Sequence, residues 1–126
     1  GQLRLFDFAL AKVIPHPRQK IGPSRVGTLR YMAPEVASQK VYDRSVDVYS
    51  FGILLWEILV LQRPYARAKT RAELETAVQD PHTTPPLNPI ASPHMQFLVR
   101  KCLSANPVER PSFAIVLACL KQELKR

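Results

Sequence analysis

The spacing of apolar residues changes along this chain, and the changes mark its elements. Leu3-Arg4-Leu5-Phe6 alternates with a period of two and leads through Asp7-Phe8-Ala9 to a short apolar piece at 10–14, a pattern that predicts two short strands. From 15 to 30 the periodicity disappears among Pro, Gly and the bases His16, Arg18, Lys20, Arg25 and Arg30. A loop of that length in a compact domain is usually functional or mobile. Pro34 followed by Glu35 suits the first turn of a short helix, where a missing N–H costs little and an acid meets the positive end of the dipole.

The longest apolar stretch, Val46 to Leu61, contains Asp47, Ser50 and Glu57 and falls short of the ~20 apolar residues needed to cross a bilayer. Apolar residues occupy every face of it at helical spacing, so a central buried helix is expected, capped by Asp43 or Ser45. Thr70-Arg71-Ala72-Glu73 is a capping box opening a helix to about Gln79. Five prolines between Asp80 and Pro93 then enforce a connecting loop. Ser92-Pro93 opens a helix with Met95, Leu98, Val99, Cys102 and Leu103 on one apolar face. The last helix begins near Ser112 and aligns Phe113, Val116, Leu117, Leu120 and Leu124. The expected fold is mainly α: a short strand pair, then about five helices around a buried central one.

Composition narrows the class. With 126 residues, 46% of them apolar, the chain is one globular domain and too apolar for a disordered tail. Eighteen Lys and Arg against ten Asp and Glu give a net charge of +8, which favours acidic partners such as phosphate, nucleic acid or an anionic membrane. The two cysteines, Cys102 and Cys119, lack the close spacing of a zinc site and read as thiols in a reducing compartment. No basic segment followed by an apolar run marks a signal peptide, and the start in the middle of an apolar pattern suggests a piece of a longer protein.

Four strings, in this order and spacing, carry a family resemblance. They are Leu3-Arg4-Leu5-Phe6-Asp7-Phe8-Ala9-Leu10-Ala11-Lys12, Gly27-Thr28-Leu29-Arg30-Tyr31-Met32-Ala33-Pro34-Glu35, Asp47-Val48-Tyr49-Ser50-Phe51-Gly52 and Asn106-Pro107-Val108-Glu109-Arg110-Pro111-Ser112. Together they resemble the second half of a eukaryotic protein kinase domain, from the metal-binding turn through the activation segment to the last helix of the larger lobe. The resemblance implies an activation segment at 7–35 and larger-lobe helices at 36–126. It also implies that the smaller lobe and the catalytic loop lie outside these residues.

Residue by residue, the resemblance makes Asp7 a magnesium ligand, which suits a hard cation that prefers carboxylate and phosphate oxygens. Phe8 would pack beneath the nucleotide cleft. Thr28 matches a hydroxyl that hydrogen-bonds near the catalytic base, and Gly27 to Tyr31 would line the peptide site. The residue choice in this stretch resembles the Ser/Thr and tyrosine-kinase-like groups. Ser24 is the candidate activation-loop phosphosite, where a phosphate could pair with Arg18, Lys20, Arg25 or Arg30. Glu35 and Arg110 would form a buried ion pair, and Asp47 would accept hydrogen bonds from the catalytic-loop backbone. Trp56 is expected in the core.

Two departures stand beside these matches. Position 9 is Ala where the family has Gly, and a Cβ in that turn costs roughly 1–2 kcal/mol. The Gly-rich loop, the strand lysine and the H-R-D-x-x-x-x-N catalytic loop do not occur in these 126 residues, and His16, His82 and His94 sit in none of those contexts. The expected function is part of a protein kinase that moves the ATP γ-phosphoryl group to protein Ser/Thr hydroxyls, with magnesium as metal and with these residues inactive by themselves. The competing expectation is a catalytically impaired, kinase-like interaction or scaffold module. A nucleic-acid-binding role rests on charge alone and is not expected. The expected location is the cytoplasm, or the cytoplasmic side of a membrane if a spanning segment lies elsewhere in the protein.

Overall fold

A computed structural model describes residues 29–125 of the chain. The strand pair expected at 3–14 and most of the expected loop at 15–30 lie outside the described residues. The loop's end does not: Leu29–Tyr31 forms a 3-10 turn, immediately before α1 (Pro34–Ala37). There follow α2 (Ser45–Val60), α3 (Arg71–Gln79), α4 (Pro93–Cys102), a second 3-10 turn (Pro107–Glu109) and α5 (Phe113–Leu124). Among the described residues there is no strand.

The helix starts follow local chemistry. Thr70, Ser92 and Ser112 each sit in extended backbone and accept from the N–H three residues on, at Glu73, Met95 and Ile115. The box at α3 is stretched by one residue: the Glu73 carboxylate accepts from the N–H of Lys69, at 2.6 Å, and not from that of Thr70. At α2 the cap position is Arg44, which offers no side-chain cap, and Asp43 just before it accepts at Oδ1 from both the N–H and the hydroxyl of Ser45. The far end of α2 stops at Leu61, whose left-handed backbone (φ 61°) ends the helix without the glycine usually found there.

Packing is organised by α2. One side lies on α4, and both 3-10 turns also touch it, while α1 packs on α3 and α5 on α4. Ile53, Val99 and Cys102 are fully buried at the centre. The α2–α4 approach is close at Gly52, where an added Cβ would lie 2.7 Å from Cys102 Cβ. The expected apolar face of α4 is buried throughout, from Met95 to Leu103.

Two expectations need correction. Helix α2 is not covered all round: Ile58 and Leu59 in its last turn and Leu61 just after it are exposed. On α5 only Val116 of the expected face is buried, whereas Leu117 and Leu124 are 53% and 85% exposed. No described helix is long and apolar enough to cross a membrane.

Candidate functional site

The best-defined polar constellation joins residues 75 positions apart. Pro34 starts α1 and leaves Glu35 in its first turn, pointing to the loop that holds Arg110 ahead of α5. Arg110 meets Glu35 with two parallel bonds: Nη1 to Oε2 at 2.7 Å and Nη2 to Oε1 at 3.0 Å. Two further donors reach the carbonyls of Ser104, from Nε at 3.0 Å, and Ser45, from Nη1 at 3.4 Å. The guanidinium also lies 4.9 Å from the centre of the Tyr49 ring, a cation–π distance. The Arg110 side chain is wholly buried and that of Glu35 is 13% exposed. A planar fork with this many acceptors fixes α1, the start of α2 and the loop before α5 in one geometry.

Next to this pair the 3-10 turn is tied down. Arg30 Nη1 donates to the carbonyls of Pro64 and Tyr65, in the loop after α2. The Tyr31 hydroxyl donates to Glu57 on α2, and Ser50 on the same helix donates to the Tyr31 carbonyl at 2.8 Å. Burial and the Glu57 carboxylate hold the Tyr31 hydroxyl above its usual range, with Arg30 and Arg63 opposing. Tyr49 and Tyr65 share a hydrogen bond, and burial pushes both hydroxyls up. None of these ties was legible in the sequence, although Glu57 offered a signal: an acid in the apolar second half of α2 needs a partner.

Asp47 stands at the mouth of an open cleft of about 450 Å³, lined by Arg44, Val48, Val108, Arg110, Pro111 and Phe113 among others. Loss of water raises its carboxyl above the usual carboxylate range, and the Arg44 charge offsets this in part. No hydrogen bond reaches it from the described residues. Trp56 fills core and donates from Nε1 to the Pro86 carbonyl at 2.6 Å. Cys102 is buried, with its thiol pushed up to about 12, and Cys119 is half-buried; both are free.

Of the residues singled out in the sequence, Asp7, Phe8, Ser24 and Thr28 lie outside the described residues, as does the Ala9 departure. Of the described ones, Glu35 and Arg110 are paired, and Asp47 makes no bond to either but lines the same cleft as Arg110. Among the described residues no group of three or more His, Cys, Asp or Glu could hold a metal ion.

A helical bundle with a Pro-Glu turn locked to a distant Arg, and a tyrosine-anchored segment just ahead of it, defines a class that comparison with known proteins makes explicit. The protein kinase domain family matches residues 1–122, and the chain belongs to that family. It is 36% identical over 121 residues to the serine/threonine/tyrosine-protein kinase HT1 of Arabidopsis thaliana, covering 96% of this chain and 30% of that protein. It is also 36% identical over 120 residues to the dual specificity protein kinase shkC of Dictyostelium discoideum, covering 94% of this chain and 24% of that protein. The serine/threonine-protein kinase STY17 of Arabidopsis thaliana is 32% identical over 123 residues, 98% of this chain and 21% of that protein. The chain thus spans less than a third of the length of these relatives. Family membership implies ATP, magnesium and protein substrates in general terms.

Proposed function

We propose that the protein carrying this chain is a kinase that transfers the γ-phosphoryl group of ATP to Ser or Thr hydroxyls of protein substrates. The observation that supports this most is the buried Glu35–Arg110 fork, which holds the Ala33-Pro34-Glu35 end of the activation segment against the helical body. Gly27 to Tyr31 line the peptide site in this reading, and the hold on Arg30 and Tyr31 by Pro64, Tyr65 and Glu57 supports it. Phosphoryl transfer depends on positioning and electrostatics more than on covalent chemistry, so a rigid wall is a direct contribution. In this reading Asp7 ligates magnesium, Phe8 packs under the nucleotide, Thr28 contacts the catalytic base and Ser24 is the regulatory phosphosite. Asp47 orders the catalytic-loop backbone.

Ala9 favours a second reading, an impaired kinase acting as a scaffold. Labelled-phosphate transfer by the full-length protein separates the two. The kinase reading expects transfer to a Ser/Thr protein substrate and its loss, by about 100-fold or more, in Asp7→Asn. Equal signal from both proteins, or none from either, transfers the weight to the scaffold.

A further inference from the structure

The loop between α2 and α3 carries three cations, Arg63, Arg67 and Lys69, and Arg71 opens α3 directly after it, with no Asp or Glu between positions 63 and 71. All four are exposed. Of the nearby acids, Glu57 accepts from Tyr31, Glu73 from the Lys69 backbone N–H, and Glu75 pairs with Arg71 at 3.6 Å. Among the described residues no carboxylate pairs with Arg63, Arg67 or Lys69.

This loop is held in place. Pro64 is buried, Tyr65 is half-buried and bonded to Tyr49, and the Ala68 N–H donates to the Tyr65 carbonyl at 3.0 Å. Tyr65 holds a left-handed backbone (φ 56°), a conformation that the surrounding packing must stabilise. Pro64 and Tyr65 turn inward, while the side chains of Arg63, Arg67 and Lys69 are exposed. Arg30 ties the loop to the segment at 29–31, and the Arg63 charge is felt at Tyr31. A loop tied to the proposed peptide wall therefore carries exposed positive charge that no carboxylate among the described residues pairs with, and such charge discriminates between partners by complementarity.

We propose that Arg63, Arg67 and Lys69 form a docking surface for an acidic segment of the protein substrate, flanking the residue to be phosphorylated. The proposal rests on the kinase reading for the word substrate, but the surface itself is a binding property. It is tested by fluorescence anisotropy on the 126-residue chain. The probes are a labelled peptide rich in Asp and Glu and its counterpart with Asn and Gln at those positions. The acidic peptide is expected to bind about 10-fold more tightly at about 50 mM salt and to lose that advantage near about 500 mM. The triple variant Arg63→Gln, Arg67→Gln, Lys69→Gln is expected to abolish the preference. A control of equal charge change, Lys40→Gln, Lys121→Gln, Lys125→Gln, is expected to keep it.

Equal binding of the two peptides, or equal loss in both triple variants, overturns the proposal. So does an RNA oligonucleotide of matched charge that binds more tightly than the peptide and is released by the first triple variant. Circular dichroism checks that both variants fold. A parallel measurement in the full-length protein compares kcat/KM for the two peptides, where the first triple variant is expected to erase a preference of about 10-fold. Absence of all phosphate transfer there, with the anisotropy difference intact, refutes the kinase reading and leaves the acidic docking surface standing.

Discussion

Arg110 shows what one buried side chain contributes when four of its five N–H groups have an acceptor. Its charge is buried, and truncating it leaves Glu35 facing a desolvated gap, which costs on the order of 3–5 kcal/mol. Against a typical total of about 5–15 kcal/mol, that is a large share. Urea denaturation is expected to show Arg110→Ala and Glu35→Ala each strongly destabilising, with the double variant losing far less than the sum. Additive losses would mean the fork contributes no coupling energy. Asp47 illustrates the opposite case, a carboxylate that folding makes harder to ionise. Because its folded pKa is raised, the native state binds a proton more readily than the unfolded state does, and the ionised carboxylate opposes folding above that pKa. Asp47→Asn is therefore expected to raise the melting temperature of the chain at neutral pH. The gain should shrink as pH falls through the raised pKa, and melting curves taken from pH 7 to about pH 4 check it.

At the scale of elements, the contact between α2 and α4 decides more than helix propensity does. Alanine is favoured over glycine in a helix by about 1 kcal/mol, so Gly52→Ala would stabilise an isolated α2. In the folded chain the added carbon would lie 2.7 Å from Cys102 Cβ and 3.0 Å from Leu103 Cδ2. Cys102 Cβ is fixed to the α4 backbone and cannot swing away, so the helices must separate, at a cost of about 1–3 kcal/mol. Gly52→Ala is expected to lower stability on balance, and an unchanged or higher urea midpoint would show that the two helices slide apart freely. The caps at Thr70, Ser92 and Ser112 were legible because they are local: each hydroxyl meets an N–H only three residues away. The shift of the Glu73 carboxylate to Lys69 was not, since neighbouring N–H groups differ only by the backbone path of the preceding loop.

For the molecule as a whole, the notable feature is apolar surface that the described residues leave open. Phe113, Ile115, Leu117 and Leu124 on α5, with Val108 beside them, are exposed, as is Phe97 on α4. Exposed apolar area of this extent on one helix is unusual for a monomer. The chain in solution is expected to bind the dye ANS, and Ile115→Glu with Leu117→Glu is expected to remove most of that signal. No dye binding by the unmodified chain would show that this face is covered.

The order of helices, their starting residues and the buried face of α4 were readable from the sequence, because they depend on periodicities and caps that act over a few residues. The four strings also pointed to the Glu35–Arg110 pairing through family resemblance, which no spacing rule could supply across 75 positions. What the tertiary structure alone decided is which apolar residues find cover and which polar groups find each other. Leu117 and Val116 are neighbours of equal hydrophobic character, yet one is exposed and the other buried, because only one faces the rest of the bundle. Arg30 and Tyr31 lie far along the chain from Glu57 and Arg63, and they become neighbours only once α2 and its following loop bring them side by side. Local patterns set the elements, but burial and charge neighbourhood are properties of the assembled surface, fixed by contacts distant in sequence.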